Sequence, residues 1–184
     1  MIPVGDDSSS IRGRFEAMAD LEQTARDPMS VGYLVTVLSF MGVLPVASVV
    51  VECLLMQTQA STWDSAFRWF VFWGVGLRLL AAGVRQIVQP AFTAREIFQL
   101  SSPDAEVIVR ELGFANVCMG LGAVVAGFVA AFRPCAALVG GLYFGIAGVM
   151  HVVKKPATPN EWVALVSDLF IFAIMAACLL RWVF

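Results

Sequence analysis

Apolar residues run through this chain in five long stretches, which short polar or proline-marked segments separate. A bilayer core about 30 Å thick needs roughly 20 apolar residues per helix, and each stretch is long enough. The pattern therefore predicts five membrane-spanning helices, at about 31 to 56, 66 to 88, 108 to 132, 135 to 153 and 162 to 183.

The boundaries of the spans carry signals for helix starts. Asp27-Pro28, Ser102-Pro103 and Thr158-Pro159 each offer a capping oxygen, followed by proline at the first helical position. Glu161 stands where a capping box with Thr158 requires an acid. Between the second and third spans, Gln89-Pro90 ends one helix and the run from Thr93 to Glu96 caps another. We therefore expect a short interfacial helix at residues 94 to 100.

Composition supports the same class. Hydrophobic residues make up 59% of the chain, charged residues make up 14%, and the mean hydropathy is +0.81. Soluble domains carry about a quarter charged residues, so we predict an all-α polytopic integral membrane helix bundle at 31–184, with the lipid bilayer as partner. The net charge of -2, without a basic block, argues against nucleic acid.

Basic residues near the span ends predict the orientation. Residues 1 to 30 hold three arginines against six acids and resemble neither a secretory signal nor a transit peptide, so we interpret them as a polar cytoplasmic tail. Eight basic residues fall on the side of this tail and three on the other. We expect the N-terminus inside and the C-terminus outside, in a bacterial inner membrane.

Small residues indicate where helices pack closely. Gly141, Gly145 and Gly148 lie at spacings of four and three in the fourth span, and Gly120, Ala123 and Gly127 repeat the pattern in the third. Such bare faces let neighbouring backbones approach. The two stripes are expected to face each other.

Polar residues inside the spans are the candidate ligand-binding residues. A rise of about 1.5 Å per residue puts His151 and Arg85 roughly 5 Å inside, Asp168 about 10 Å inside at the level of Asn116, and Arg78 about 15 Å deep. Ionisable groups in hydrocarbon are costly and are functional candidates by default. The full set is Arg78, Arg85, Gln89, Glu111, Asn116, His151 and Asp168.

Two interpretations of this set remain open. In the structural one, Arg78 pairs with Asp168, Arg85 pairs with Glu111, and a neutral His151 bonds Asn116 or a carbonyl. In the functional interpretation, Arg78 does not pair with Asp168. Arg85 then faces two carboxylates, Glu111 and Asp168, so these polar residues lack one positive charge. A protonated His151, a protonated carboxylate or a cationic ligand would remove this imbalance. Nearer the outer side, Glu52 and Arg68 are expected to form a structural pair.

Three motifs carry a family resemblance. VRELGFANVCMGLG (109–122), GIAGVMHVV (145–153) and SDLF (167–170) resemble small bacterial membrane proteins of an uncharacterised family. Glu111, Asn116, His151 and Asp168 match the polar positions of that family. GLRLLAAGVRQ (76–86) more distantly resembles the opening helix of DoxX-like proteins, some of which associate with redox partners. Neither resemblance implies a settled activity.

Enzyme and cofactor motifs are mostly missing. The four cysteines form no CxxC pair, and neither HExxH, GxSxG nor a phosphate loop occurs. One histidine excludes a bis-histidine haem within one chain. A Glu/His/Asp metal site remains geometrically open, although the arginines nearby would repel a cation. No cofactor is predicted, but a lipid or quinone is a possible ligand.

Three function classes follow. The first is a binding or transport protein whose polar cluster holds a small polar ligand, a lipid or quinone headgroup, or a proton. The second is a structural or accessory subunit of a membrane complex, and the third is a membrane-embedded redox component. The sequence favours the first class, as a homo-oligomer or as a subunit of a membrane complex, and predicts no catalytic residue.

Overall fold

The computed structural model describes residues 30–55, 61–98, 100 and 102–184, and all the regular elements within these ranges are helical. Five of the helices in these ranges are long and apolar enough to cross a membrane, and one further helix is short. The predicted fold class, an all-α polytopic bundle with five spans and a short helix between the second and third, is therefore confirmed. In chain order the helices are α1 (Val31–Leu54), α2 (Thr62–Val88), α3 (residues 90–97), α4 (Pro103–Phe128), α5 (Ala130–Lys154) and α6 (Pro159–Val183).

The capping signals of α4 and α6 act as predicted. The Ser102 hydroxyl accepts a hydrogen bond from the Ala105 N–H at 3.2 Å. The Thr158 hydroxyl accepts one from the Glu161 N–H at 3.3 Å, and the Glu161 carboxylate accepts from the Thr158 N–H at 3.2 Å. Both helices begin at the proline that follows the cap, several residues before the apolar run, because a capped turn needs no apolar side chains.

The start of the bundle lies partly outside the described residues, which leave out 1–29 and with them most of the predicted tail and the Asp27-Pro28 cap. α1 begins after Ser30, whose hydroxyl accepts from the Tyr33 N–H at 3.4 Å. The Ser30 N–H donates to Asn160 Oδ1 at 3.0 Å. This bond ties the first turn of α1 to the first turn of α6.

α3 begins earlier than predicted. Its first residue is Pro90, directly after Gln89, and the helix continues through Thr93 to Ile97. The predicted start at residue 94, after a cap that begins at Thr93, was wrong because proline is itself suited to a first helical turn, whose N–H groups have no partner within the helix. Thr93, Ala94 and Ile97 are buried, so α3 packs against the bundle.

Wide π-helical turns interrupt α1 and α2. They occupy Ser39–Val43 within α1, Val51–Leu55 across its end and Phe70–Leu77 within α2. Regular α-helix resumes at Arg78. Such turns are rare and concentrate at functional sites.

α2 is the central helix of the bundle. Val71, Val75 and Leu79 of α2 are almost fully buried, together with Ile171 and Met175 of α6. α1 is peripheral, since only a narrow line of its residues is buried. The apolar side chains on the remaining outer faces are suited to contact with lipid tails.

The glycine stripes pack, but not against each other as predicted. On α4, Gly113 and Gly120 face α2, where a Cβ on Gly83 would lie 2.7 Å from the Gly113 carbonyl oxygen, and a Cβ on Gly120 would lie 2.8 Å from the Gly76 oxygen. The prediction was wrong because α2 has its own glycines, Gly76 and Gly83, and these allow the closer backbone approach.

The α5 stripe instead receives large side chains of α6. A Cβ on Gly145 would lie 2.7 Å from Phe172 Cδ2, and one on Gly148 would lie 2.6 Å from Leu169 Cδ2. Gly141 lies against Met175 in the same way. The bare face of α5 therefore accommodates bulky neighbours and not another bare face.

Candidate functional site

A cavity of about 250 Å³ lies in the half of the bundle where α1 begins and α2 ends. All six helices contribute to its lining, and half of the lining residues are polar. We call it the polar cavity. Its polar residues are Tyr33, Thr36, Arg78, Arg85, Gln86, Thr93, Asn116, Tyr143, His151 and Asp168.

Arg78 is the most deeply placed cation of the cavity, with 8% of its surface exposed. Its Nη2 donates to the Tyr33 hydroxyl at 3.5 Å, and the guanidinium carbon lies 5.7 Å from the centre of the Tyr33 ring. Its Nε finds no hydrogen-bond partner among the described residues. The direct contacts of this buried guanidinium are therefore weak, and its counter-charge, the Asp168 carboxylate of the same cavity, acts on it only at longer range. This is unusual because buried charges are normally paired directly.

Asp168 does not pair with Arg78 as the structural interpretation expected. Both side chains line the cavity, but the ion pairs among the described residues do not join them. The nearest basic partner of the carboxylate is His151, whose Nε2 lies 4.0 Å from Asp168 Oδ2. That distance is too long for a hydrogen bond. The imidazole and the carboxylate therefore face each other, both largely buried, without direct contact.

The amide of Asn116 pairs with an unpredicted residue. Asn116 Nδ2 donates to Gln86 Oε1 at 2.7 Å, and both residues are buried. The expected bond between Asn116 and His151 is not among the hydrogen bonds of the described residues. Asn116 Oδ1 finds no partner that meets hydrogen-bond geometry there. This amide pair crosses from α2 to α4 and forms part of the cavity wall.

Arg85 lies at the rim of the polar cavity. Its guanidinium carbon stands 3.5 Å from the centre of the Phe92 ring of α3, a close cation–π contact. The expected ion pair with Glu111 is not formed, because Glu111 is exposed on α4 and does not line the cavity. Gln89 is also exposed and lies outside the cavity. The structure thus brings together Arg78, Arg85, Asn116, His151 and Asp168.

The position of Glu111 also bears on the Glu/His/Asp metal site that the sequence left open. A Glu111/His151/Asp168 site is not assembled, since Glu111 is turned away from the other two residues. Within the described residues, no group of three or more His, Cys, Asp or Glu side chains is placed to hold a metal ion.

The charges of the cavity differ from the balance expected from the sequence. Two guanidinium groups, Arg78 and Arg85, and one carboxylate, Asp168, belong to the described residues that line it. The expectation of a missing positive charge assumed that Glu111 was present and Arg78 absent, and both assumptions were wrong. With Asp168 ionised and His151 neutral, the polar cavity carries an excess of one positive charge.

A second polar group lies in the opposite half of the bundle, and we call it the outer cluster: Glu52, Arg68, Trp69, Gly127 and Arg133. Arg68 Nη1 donates to Glu52 Oε1 at 3.1 Å, which confirms the predicted pair, and Arg68 Nε donates to the Gly127 carbonyl at 3.0 Å. Trp69 Nε1 also donates to Glu52. Arg133 Nε donates to the Ala126 carbonyl at 3.2 Å. The last carbonyls of α4 are therefore capped by arginines.

Sequence reasoning missed five polar residues of the cavity: Tyr33, Thr36, Gln86, Thr93 and Tyr143. Gln86 follows Arg78 at a spacing of eight, on the same helical row as Ala82, but the chosen row was 78, 85 and 89. Tyr33 and Tyr143 were not considered, although they are the two tyrosines of the chain and both line the cavity. The two tyrosines and the single histidine are rare residue types in this chain and all lie within its apolar runs, and this pattern could have indicated the site.

Comparisons with known proteins place the chain in a family without providing an activity. No curated protein and no solved structure matches it. The predicted resemblance to an uncharacterised family is confirmed, because a family model matches residues 35–183, a range that includes all the predicted site residues. With most of its length matched, the chain belongs to the family of unknown function DUF6790.

Proposed function

We propose that this membrane protein binds a small anionic group in the polar cavity. The observation that carries the proposal is Arg78, a buried guanidinium whose Nε faces no acceptor among the described residues. An anion with two or three oxygens would supply the missing acceptor. Guanidinium groups suit carboxylates and phosphates because their N–H groups form a planar fork.

The rest of the lining fits the same chemistry. The hydroxyls of Tyr33 and Tyr143 and the single ring N–H of a neutral His151 are donors for further oxygens. A cavity of about 250 Å³ is somewhat smaller than a typical drug-sized site, which favours a single headgroup. The positive excess of the cavity also disfavours a cation.

Location and wider role belong to the proposal. The excess of Lys and Arg on the side of the N-terminal tail supports an N-terminus in the cytoplasm of a bacterium, with the polar cavity in the cytoplasmic half of the inner membrane. Transport of the bound molecule, assembly into a homo-oligomer or membrane complex, and the DoxX-like redox role stay predictions of the sequence.

The proposal is tested by ligand-dependent stabilisation in nanodiscs. Methyl phosphate should raise the thermal midpoint of the parent, because a ligand that binds only the folded state stabilises it. Arg78→Gln should lose this shift, whereas Arg181→Gln, at an exposed position at the far end of α6, should keep it. Equal shifts in the parent and Arg78→Gln, or none in the parent, would overturn the proposal.

Asp168→Asn provides a test of opposite sign. This variant removes the carboxylate of the cavity and raises its positive excess, so methyl phosphate should stabilise it more than the parent. A weaker shift in a folded Asp168→Asn protein would show that the cavity does not select anions. The Asp168→Asn measurement tests the proposed anion site even if Arg78→Gln fails to fold.

A further inference from the structure

An apolar groove adjoins the polar cavity on the outer face of the bundle. It has a volume of about 600 Å³ and lies along the last turns of α2, with Phe40 of α1 at one end. Ala81 and Arg85 line both the groove and the polar cavity. The polar cavity and the apolar groove therefore meet at these two residues. The α2 residues of the groove are Leu77, Leu80, Ala81, Val84, Arg85, Val88 and Gln89.

The groove is open to the surroundings of the bundle. Val84 is 54% exposed and Val88 is 69% exposed, so no described helix covers this row. From residue 77 to residue 88 the row runs about 16 Å along the helix axis. In a bilayer, this face meets the hydrocarbon region, and the row is as long as a medium-length alkyl chain.

The junction between the two spaces has mixed chemistry. Ala81 contributes only a methyl group where the two linings meet, while the Arg85 guanidinium stands over the Phe92 ring at 3.5 Å and brings a fixed positive charge to the rim. Three other apolar grooves, between α1 and α6, between α4 and α5 and between α5 and α6, share no lining residue with the polar cavity. Continuity with the charged cavity distinguishes the α1/α2 groove.

We infer that the ligand is an amphiphile, with an anionic headgroup at Arg78 in the polar cavity and an apolar chain that leaves past Ala81 and Arg85 into the α1/α2 groove. This inference rests on the proposed function. It identifies the ligand as a membrane-soluble molecule that enters sideways from the lipid, and not as a solute of the aqueous phase.

The test uses dodecyl phosphate with a photoreactive group at the end of its chain, incorporated into nanodiscs with the full-length protein. Cross-links should concentrate on the α1/α2 groove. Val84→Phe should reduce this labelling about tenfold or more, because the ring occupies the groove, yet methyl phosphate should still stabilise the variant, since Val84 does not line the polar cavity. Val149→Phe, at an exposed valine on α5, is the matched control and should label like the parent.

The outcomes separate the inference from the function on which it rests. If methyl phosphate stabilises the parent but dodecyl phosphate labels all lipid-facing surfaces evenly, the amphiphile inference fails and the anion site stands. Groove labelling by a dodecanol probe as strong as that by dodecyl phosphate would likewise overturn it, since the headgroup would then not direct the chain. If neither phosphate depends on Arg78, the proposed function itself fails.

Discussion

The outer cluster and the polar cavity both place an arginine of α2 inside a span, but they satisfy it differently. Arg68 donates to a carboxylate and to a backbone carbonyl, at 3.1 and 3.0 Å. Arg78, more than two turns further along the same helix, has a tyrosine hydroxyl at 3.5 Å and an Nε without a partner among the described residues. Identical side chains on one helix are thus well paired at one end of the bundle and only weakly partnered at the other.

The largest expected effect comes from removing the acid of the outer cluster. Glu52→Gln keeps the shape but leaves the Arg68 guanidinium without its counter-charge, and we expect a loss of about 3 kcal/mol in unfolding free energy. Asp168→Asn should cost less than about 1 kcal/mol, because Asp168 has no close ion pair to lose. Reversible unfolding in mixed micelles measures both, and equal losses would erase the distinction between the two sites.

Exchanging the arginines sharpens the same comparison. Arg68→Gln should lower stability by about 2 kcal/mol, since Glu52 and the Gly127 carbonyl both lose a donor. Arg78→Gln should be close to neutral without ligand, because it removes a buried charge whose contacts are weak. If thermal unfolding showed Arg78→Gln to be the more damaging change, Arg78 would be a structural residue and the cavity a packing feature.

The aromatic side chains that hydrogen-bond within each site allow a smaller comparison of stability between the two sites. Trp69→Phe removes the N–H that reaches Glu52 and should cost about 1 kcal/mol. Tyr33→Phe removes a hydroxyl that accepts from Arg78 at 3.5 Å, a long bond, and should cost a few tenths of a kcal/mol. Chemical unfolding followed by tryptophan fluorescence can compare Tyr33→Phe with the parent, and circular dichroism can compare Trp69→Phe.

The smallest expected effect concerns pH. The charged groups around His151 are Asp168 at 4.0 Å, Glu161 and Lys154, with Arg78 and Arg85 in the same cavity. A proton gained by His151 adds positive charge to the cavity. We therefore expect methyl sulfate, an anion of constant charge, to bind the parent about threefold more tightly near pH 5 than near pH 8.

His151→Gln should reduce the pH dependence of methyl sulfate affinity. Asp168→Asn should keep the part of that dependence that comes from protonation of the His151 imidazole. Isothermal titration across the pH range measures both variants. A His151→Gln profile as steep as that of the parent would assign the dependence to another group and leave His151 without a role in binding.

Helix positions and caps were readable from the sequence because they depend on local chemistry. The five apolar runs, Ser102 and the Thr158/Glu161 box needed no knowledge of neighbours. The Glu52–Arg68 pair was also predictable, since two opposite charges near the adjoining ends of consecutive helices have few other partners. Apolar length and capping thus account for most of the fold.

The details of the site were not readable in the same way because depth does not fix direction. Glu111 and Asn116 lie on one helix less than two turns apart, yet Asn116 is buried and Glu111 is exposed. Helical rows indicate which residues share a face, but not which neighbour that face meets. The same gap explains the glycine stripes, since a bare face on α4 can pack with any other bare face, and α2 was the one present.

The π-helical stretch Phe70–Leu77 separates two parts of α2 whose side chains point in independent directions around the helix axis. A π turn holds roughly one residue more than an α turn, and one residue corresponds to about 100° of rotation. Trp69, before the stretch, is aligned with the outer cluster, and Arg78, after it, is turned into the cavity. Deleting one residue between them would swing Arg78 out of the cavity while leaving Trp69 in place, so the length of this stretch sets where the guanidinium points.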